Sequence, residues 1–178
     1  MARSATTVSP SAGKPTGRPF SVAGYVARFL VLLTVFEVVF LTYLSPNAYF
    51  DAYLRAYASL AGWLLELLGD DVVVRGQRII GSGVSIEVRR GCDAYQPLAL
   101  FCANVLAFPA PWRRRCVGLS LGILALLALN LGRIISLYWL DDRDSAWFHS
   151  AHTTIWPVAF IVSALVLWLV WARWAGTR

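Results

Sequence analysis

Three residues able to cleave an acyl bond together stand on three separate hydrophobic stretches of this chain: Cys92, Arg133 and His152. A cysteine attacks as the thiolate, so it needs a favoured anion, a nearby base and donors for the developing oxyanion. Cys92 opens an apolar run and follows Arg89, Arg90 and Gly91, where neighbouring positive charge and an expected helix N-terminus would both favour the thiolate. Arg133 interrupts 117–140, a run that otherwise reads as a membrane span. An arginine near the middle of a span costs roughly 2.5–3.5 kcal/mol on insertion scales, so a retained one marks a functional site. Always charged, it cannot be a general base, but it can hold a thiolate, bind a carbonyl or carboxylate, or stabilise an oxyanion. Asn130, three residues earlier, shares its helical face. His152 opens the third run and is the candidate base. Trp156, one turn on, is expected to buttress its imidazole, whereas His149 belongs to a polar loop.

Each residue also has a plainer reading. Cys92 can be a small packing residue at a helix start, and an interfacial histidine is often structural. Arg133 can pair with Glu37, which lies at a similar depth in the first span. A buried guanidinium needs such a partner, so that ion pair is compatible with a catalytic role. Asp141, Asp142 and Asp144 could join the two histidines, but their spacing matches no strong zinc signature, and neither metal nor cofactor is expected. Three cysteines make no disulfide framework. Cys102 lies within an apolar run and Cys116 follows an arginine cluster, so both read as packing residues.

The elements that must bring these residues together are membrane helices. Hydrophobic residues make up 58% of the 178 and charged residues 15%, against roughly 45–50% and 25% in an ordinary soluble domain. The net charge of +6 is almost wholly arginine, Lys14 being the only lysine. Its basic residues flank apolar runs and form no continuous solvated patch, which argues against nucleic-acid binding. Residues 1–21, rich in Ser, Thr, Pro and Gly, read as a disordered tail. Spans are expected at about 22–44, 92–110, 117–140 and 151–172. Within the outer segment 45–91, the stretch 48–69 reads as an interfacial helix, and 72–88, with β-branched alternation and turn glycines, as a small β-meander. Pro109 to Arg115 reads as a tight polar turn and 141–150 as a short acidic loop. The fold class expected is thus an all-α polytopic membrane bundle of about four transmembrane helices, carrying an extracytoplasmic β-meander and an interfacial helix, with 22–178 as one membrane-embedded domain.

Arginine placement sets the orientation. Four spans put the tail, Arg113 to Arg115 and the C-terminus all in the cytoplasm; a fifth span at 48–69 would put the tail and the triple arginine on opposite sides. With four, Cys92 opens the second span on the outer side, Arg133 lies roughly 10 Å below the outer end of the third, and His152 opens the fourth. All three converge on the outer leaflet.

The stretches Gly91-Cys92-Asp93, Leu106-Ala107-Phe108-Pro109-Ala110-Pro111-Trp112-Arg113-Arg114-Arg115, Leu129-Asn130-Leu131-Gly132-Arg133-Ile134-Ile135-Ser136-Leu137-Tyr138 and His152-Thr153-Thr154-Ile155-Trp156 together resemble the exosortase/archaeosortase family. The short exosortase H-like members are closest, and the resemblance runs over roughly 72–172. It implies a polytopic cysteine protease and transpeptidase of the bacterial cytoplasmic membrane, with its active site on the extracytoplasmic face. Substrates would be exported proteins whose C-terminal sorting signal combines a short motif, a transmembrane helix and a basic end, as in PEP-CTERM-type proteins; the other partner is membrane lipid. By position, the implied nucleophile is Cys92, the arginine Arg133 and the histidine His152. Relatives often follow the cysteine with Asn or Ser and then Gly, where this chain has Asp93-Ala94. Without that glycine the turn must be made another way, and Asp93 opposes the thiolate unless Arg89 or Arg90 offsets it. Two rival functions stay open: a non-catalytic membrane subunit in which Arg133, Glu37 and Asn130 serve helix packing, and a cysteine acyltransferase acting on lipid or sugar groups.

Overall fold

The structure is a computed structural model describing residues 21–141 and 145–176. Residues 1–20 of the expected tail and the acidic residues Asp142 and Asp144 lie outside the described residues, whereas Ser21 belongs to the start of the first helix.

Helix α1 (Val22–Val39) starts where the Ser21 hydroxyl accepts the Gly24 N–H at 3.2 Å. It runs on through a π-helical turn (Phe40–Leu44), so the apolar stretch Val22–Leu44 is one continuous rod. Asn47 caps α2 (Ala48–Leu67) by accepting the Tyr49 N–H at 3.1 Å, and Gly69, at φ 98°, ends it. Leucine and tyrosine at helical spacing give α2 one buried face, formed by Leu54, Tyr57, Ala58, Ala61 and Leu65. That face packs on Val72, Ile79, Val84 and Val88 of the sheet region, and on Ile134 and Tyr138 further along the chain.

The β-meander forms as an antiparallel sheet of order β1-β2-β3: β1 (Val73–Arg75), β2 (Arg78–Ile80) and β3 (Ser85–Glu87). Its register pairs Val74 with Ile79 and Ile79 with Ile86. At Gly81 a side chain would collide with the Tyr138 phenol, so only glycine lets the sheet settle this close to the bundle.

Four further segments complete the bundle: α3 (Tyr95–Ala107), α4 (Trp112–Asp141), α5 (Ser145–Ser150) leading through a second π-helical turn (Ala151–Ile155), and α6 (Trp156–Gly176). Three apolar rods are long enough to cross a membrane, Val22–Leu44, Trp112–Leu140 and Trp147–Gly176. The span expected at 92–110 is shorter. α3 has 13 residues, about 20 Å at 1.5 Å per residue against a hydrocarbon core of about 30 Å. Its flanking segments are a turn at Cys92–Ala94 and a Pro-bounded link to α4, neither of which can continue a helix. α3 is instead the central element, packed against α1, α4 and α6, with Phe101 and Val105 buried.

Two further expectations change. Arg113 to Arg115 form the first turn of α4 rather than a loop, because Pro111 stands just ahead of a helix start. The loop expected to run to Ser150 is helical from Ser145, so the last rod begins before His152.

The two ends of the bundle are chemically distinct. At one, Tyr25 of α1 donates to Asn104 Oδ1 at 2.6 Å, Arg115 donates to the Phe108 carbonyl at 2.9 Å, and Arg114 donates to the Ala175 carbonyl at the end of α6 at 2.8 Å. Arginines thus satisfy carbonyls at helix C-termini, where cations are favoured. The opposite end carries the sheet, α2 and the turn bearing Cys92.

Candidate active site

Cys92 lies on the turn between the sheet and α3. Gly91 (φ 96°) and Ala94 (φ 58°) are both left-handed there, and the Cys92 N–H donates to the Arg89 carbonyl at 2.8 Å. Asp93 ties the turn internally: its carboxylate, in a residue only 6% exposed, accepts the Gly91 N–H at 3.0 Å and the Tyr95 N–H at 2.9 Å. Such a side-chain turn stands in for a missing backbone one. The carboxylate is therefore directed at two amides of the turn.

Three consecutive carbonyls of this turn are each held by a different side chain. Arg133 Nη1 donates to Gly91 O at 3.2 Å, Asn130 Nδ2 to Cys92 O at 2.9 Å, and the Tyr53 hydroxyl to Asp93 O at 2.9 Å. Asn130 and Arg133 reach the turn from one face of α4, as three-residue spacing dictates, and Tyr53 reaches it from α2. Burial raises the Tyr53 phenol above its ordinary pKa, so it stays a proton donor. Tyr57, one turn further along α2, donates to the Leu127 carbonyl at 2.8 Å and fixes α2 to α4.

Cys92 and His152 line the same cavity of about 460 Å³, together with Arg89 and Arg90, the strand segment Ser85 to Val88, and an apolar floor that includes Ile134, Leu137 and Phe148. Arg133 lies across the Gly91 peptide in a second cleft of about 290 Å³, its guanidinium 5.7 Å from the Phe160 ring centre. Gly91 borders both spaces. Among the described residues, the buried side-chain polar atoms without a partner are Asn130 Oδ1, Arg133 Nε, His152 Nδ1, Arg115 Nε and Trp168 Nε1. The first three belong to the residues singled out for chemistry. Since leaving such an atom unpaired costs about 1–3 kcal/mol, their clustering here points to groups kept available for a ligand.

The remaining site residues depart from expectation in instructive ways. No ion pair joins Glu37 to Arg133 among the described residues. α1 packs on α3, and Tyr95 at the head of α3 docks on the end of α1, stacking on Phe40 and donating to the Phe36 carbonyl. Depth matching put Glu37 and Arg133 level but could not reveal that α3 stands beside α1. Among the described residues no ring contact joins Trp156 to His152, and Trp156 packs at 6.0 Å on Phe160. The π-helical turn is the reason. Its closing bond runs from the Trp156 N–H to the Ala151 carbonyl, so one residue is added to the turn and the i, i+4 relation between 152 and 156 is lost. Phe148 takes the role, stacked on the imidazole at 5.9 Å and 4°, because helical side chains lean back toward the preceding turn. His149 is exposed, as expected.

Arg89 and Arg90 stand on the cavity rim, but both are engaged. Arg89 pairs with Glu87 at 2.7 Å and Arg90 with Asp51 at 3.1 Å. The Arg89 guanidinium holds the Glu87 carboxyl below its usual range. Among the described residues no group of His, Cys, Asp and Glu could hold a metal. Sequence reasoning missed Tyr53, Phe148 and the tying role of Asp93. Only Tyr53 carried a signal, its four-residue spacing to Tyr57 on α2.

A family model described as transmembrane exosortase matches residues 19–169 of this chain. The chain belongs to the transmembrane exosortase family. The match covers α1 through most of α6, and so every residue of the site described above. It makes the chain a multi-pass membrane protein, in keeping with its three long apolar helices, and membership implies a peptidase-like enzyme. Searches of curated proteins and of solved structures found no match.

Proposed function

We propose that this exosortase is a cysteine peptidase and transpeptidase that cleaves exported proteins at a C-terminal sorting signal, working on the extracytoplasmic face of a bacterial cytoplasmic membrane. The observation that carries this reading is the shared cavity of Cys92 and His152 behind a turn whose three carbonyls are all anchored. A nucleophile must be held within a fraction of an ångström of its target, and fixing the backbone on both sides of Cys92 achieves that.

In the first step the Cys92 thiolate attacks the carbonyl carbon of the scissile peptide. The carbonyl π-electrons move to oxygen, giving a tetrahedral oxyanion that the positive charge of Arg133, held behind the Gly91 peptide, stabilises. Arg133 spends one Nη1–H on Gly91 O, and the remaining N–H groups of its guanidinium are the donors left for substrate. Protonated His152 gives its proton to the leaving amine, the C–N bond breaks, and a thioester remains on Cys92. An incoming amine or water then attacks the thioester, neutral His152 takes its proton, and the thiolate leaves. Asn130 is a positioning residue in this scheme. Arg89 and Arg90 line the cavity mouth, each paired with a carboxylate.

The family match gives this reading preference over a packing subunit, and the basic end of the bundle supports the outward placement of the site. Intact-mass analysis of the protein isolated with a processed exported protein tests it. The peptidase reading expects a peptide mass on Cys92. A lipid acyl mass there would favour the acyltransferase, and an unmodified Cys92 under turnover the subunit.

A further inference from the structure

The sheet ends in an open edge at the nucleophile. β3 pairs with β2 alone, so its other side is free among the described residues. In an antiparallel pair, residues bonded to the partner alternate with residues whose N–H and C=O face away. The Gly81 N–H donates to the Val84 carbonyl at 2.9 Å and the Val88 N–H to the Gln77 carbonyl at 2.8 Å. With Ile79 opposite Ile86, it follows that 84, 86 and 88 turn their main chain toward β2, and Ser85 and Glu87 turn theirs to the free edge. Ser85 and Glu87 both line the cavity that Cys92 and His152 share. Exposed strand edges are ready templates for an added strand, and natural sheets usually cover or blunt them. Among the described residues no strand pairs with this edge.

We propose that an extended substrate segment just ahead of its membrane helix adds to β3 as a fourth strand, and that this pairing carries the scissile carbonyl to Cys92. The inference rests on the peptidase reading above and names how that site takes its substrate. Main-chain bonds from Ser85 and Glu87 supply sequence-independent affinity, while side chains on one face of the added strand supply specificity. Val84 and Val88 are buried and Ser85 is exposed, so the sheet has an inner and an outer face. Every second substrate residue would drop onto the inner face, against Ile134, Leu137 and Phe148, which selects apolar side chains at alternate positions. The intervening residues would point outward beside Ser85 and Glu87.

The probe is an exported protein whose C-terminal signal is processed only in cells making this exosortase, carrying single cysteines at each of the residues preceding its membrane helix. It is produced together with full-length exosortase bearing Ser85→Cys and alanine at Cys92, Cys102 and Cys116, and the membranes are oxidised. Ser85 is exposed, so the substitution leaves the core intact. The expected result is cross-linking at alternate positions and its loss between them. The same pattern shifted by two residues is expected with Glu87→Cys in place of Ser85→Cys. Cross-links at consecutive positions, or none, would overturn the added strand. Processing by a Cys92→Ala single variant is scored separately. Precursor accumulation without alternation rejects the strand and leaves the cysteine chemistry, and alternation with continued processing does the reverse.

Discussion

Asn130 Nδ2 donates to the carbonyl oxygen of Cys92 across 2.9 Å, from a residue with no exposed surface. One turn along α4, Arg133 takes the carbonyl before it, so the nucleophile's backbone is fixed by a single rigid helix face. Replacing Asn130 by Leu should leave that carbonyl unpaired at a cost of about 1–3 kcal/mol. Asn130→Asp should be worse for activity, since a carboxylate oxygen would face the carbonyl. For Arg133→Lys we expect normal membrane accumulation with processing lost, because a compact ammonium cannot reproduce the planar fork that presents donors to Gly91 O and to substrate from separate nitrogens. Quantitative precursor-to-product ratios, normalised to membrane protein, measure all three. Full activity in Arg133→Lys would remove Arg133 from the mechanism.

Ala94 occupies a left-handed conformation that glycine adopts most readily. The conformation costs alanine roughly 1–2 kcal/mol. Against this stand about 0.8 kcal/mol for burying its methyl group and about 0.5–1 kcal/mol of chain entropy that glycine would lose. The terms nearly cancel, which explains how alanine is tolerated. Ala94→Gly is therefore expected to melt within a few degrees of the native protein in detergent and to stay active. Ala94→Val, a β-branched residue at positive φ, should fail to accumulate.

Phe148, rather than Trp156, holds the imidazole of His152. His152→Ala should be inactive and His149→Ala active. Phe148→Leu should lower the rate of processing without loss of membrane accumulation, whereas Trp156→Phe should leave the rate near native. A rate defect in Trp156→Phe with none in Phe148→Leu would mean that the π-helical turn does not persist in the working enzyme.

Glu87 neutralises Arg89 at the mouth of the cavity. Its carboxyl is held below the usual range, chiefly by its hydrogen bond from Arg89. It stays ionised until the pH falls through that lowered value, so the Arg89 charge is compensated throughout the neutral range. Glu87→Gln frees the charge, which favours the thiolate. Alkylation of Cys92 by iodoacetamide near neutral pH, followed by mass in a Cys102→Ala, Cys116→Ala background, should accelerate by a few-fold. The gain should shrink in high salt, where exposed charges are screened. Unchanged alkylation would show that Arg89 exerts no field at the thiol.

Much of this arrangement is legible in the chain because its signals are local or periodic. A charge in an apolar run identified Arg133, three-residue spacing added Asn130 to its face, and β-branched alternation located the sheet. What escaped depends on events that leave no periodic trace. One added residue in a π-helical turn alters the step from His152 to Trp156, while Phe148, one turn before, is the ring that stacks on the imidazole. Counting depth along the spans could not show that α3 packs on α1, and no ion pair joins Glu37 to Arg133 among the described residues. Asp93 reads as an electrostatic liability until the Gly91 and Tyr95 amides are seen to take its carboxylate.

The central claim is that Cys92 is the nucleophile, and substituting each cysteine in turn tests it most directly. Processing of a cognate exported protein should stop in Cys92→Ala and in Cys92→Ser, with precursor accumulating on a gel, and should continue in Cys102→Ala and Cys116→Ala. Normal processing by a stably inserted Cys92→Ala protein would contradict the account.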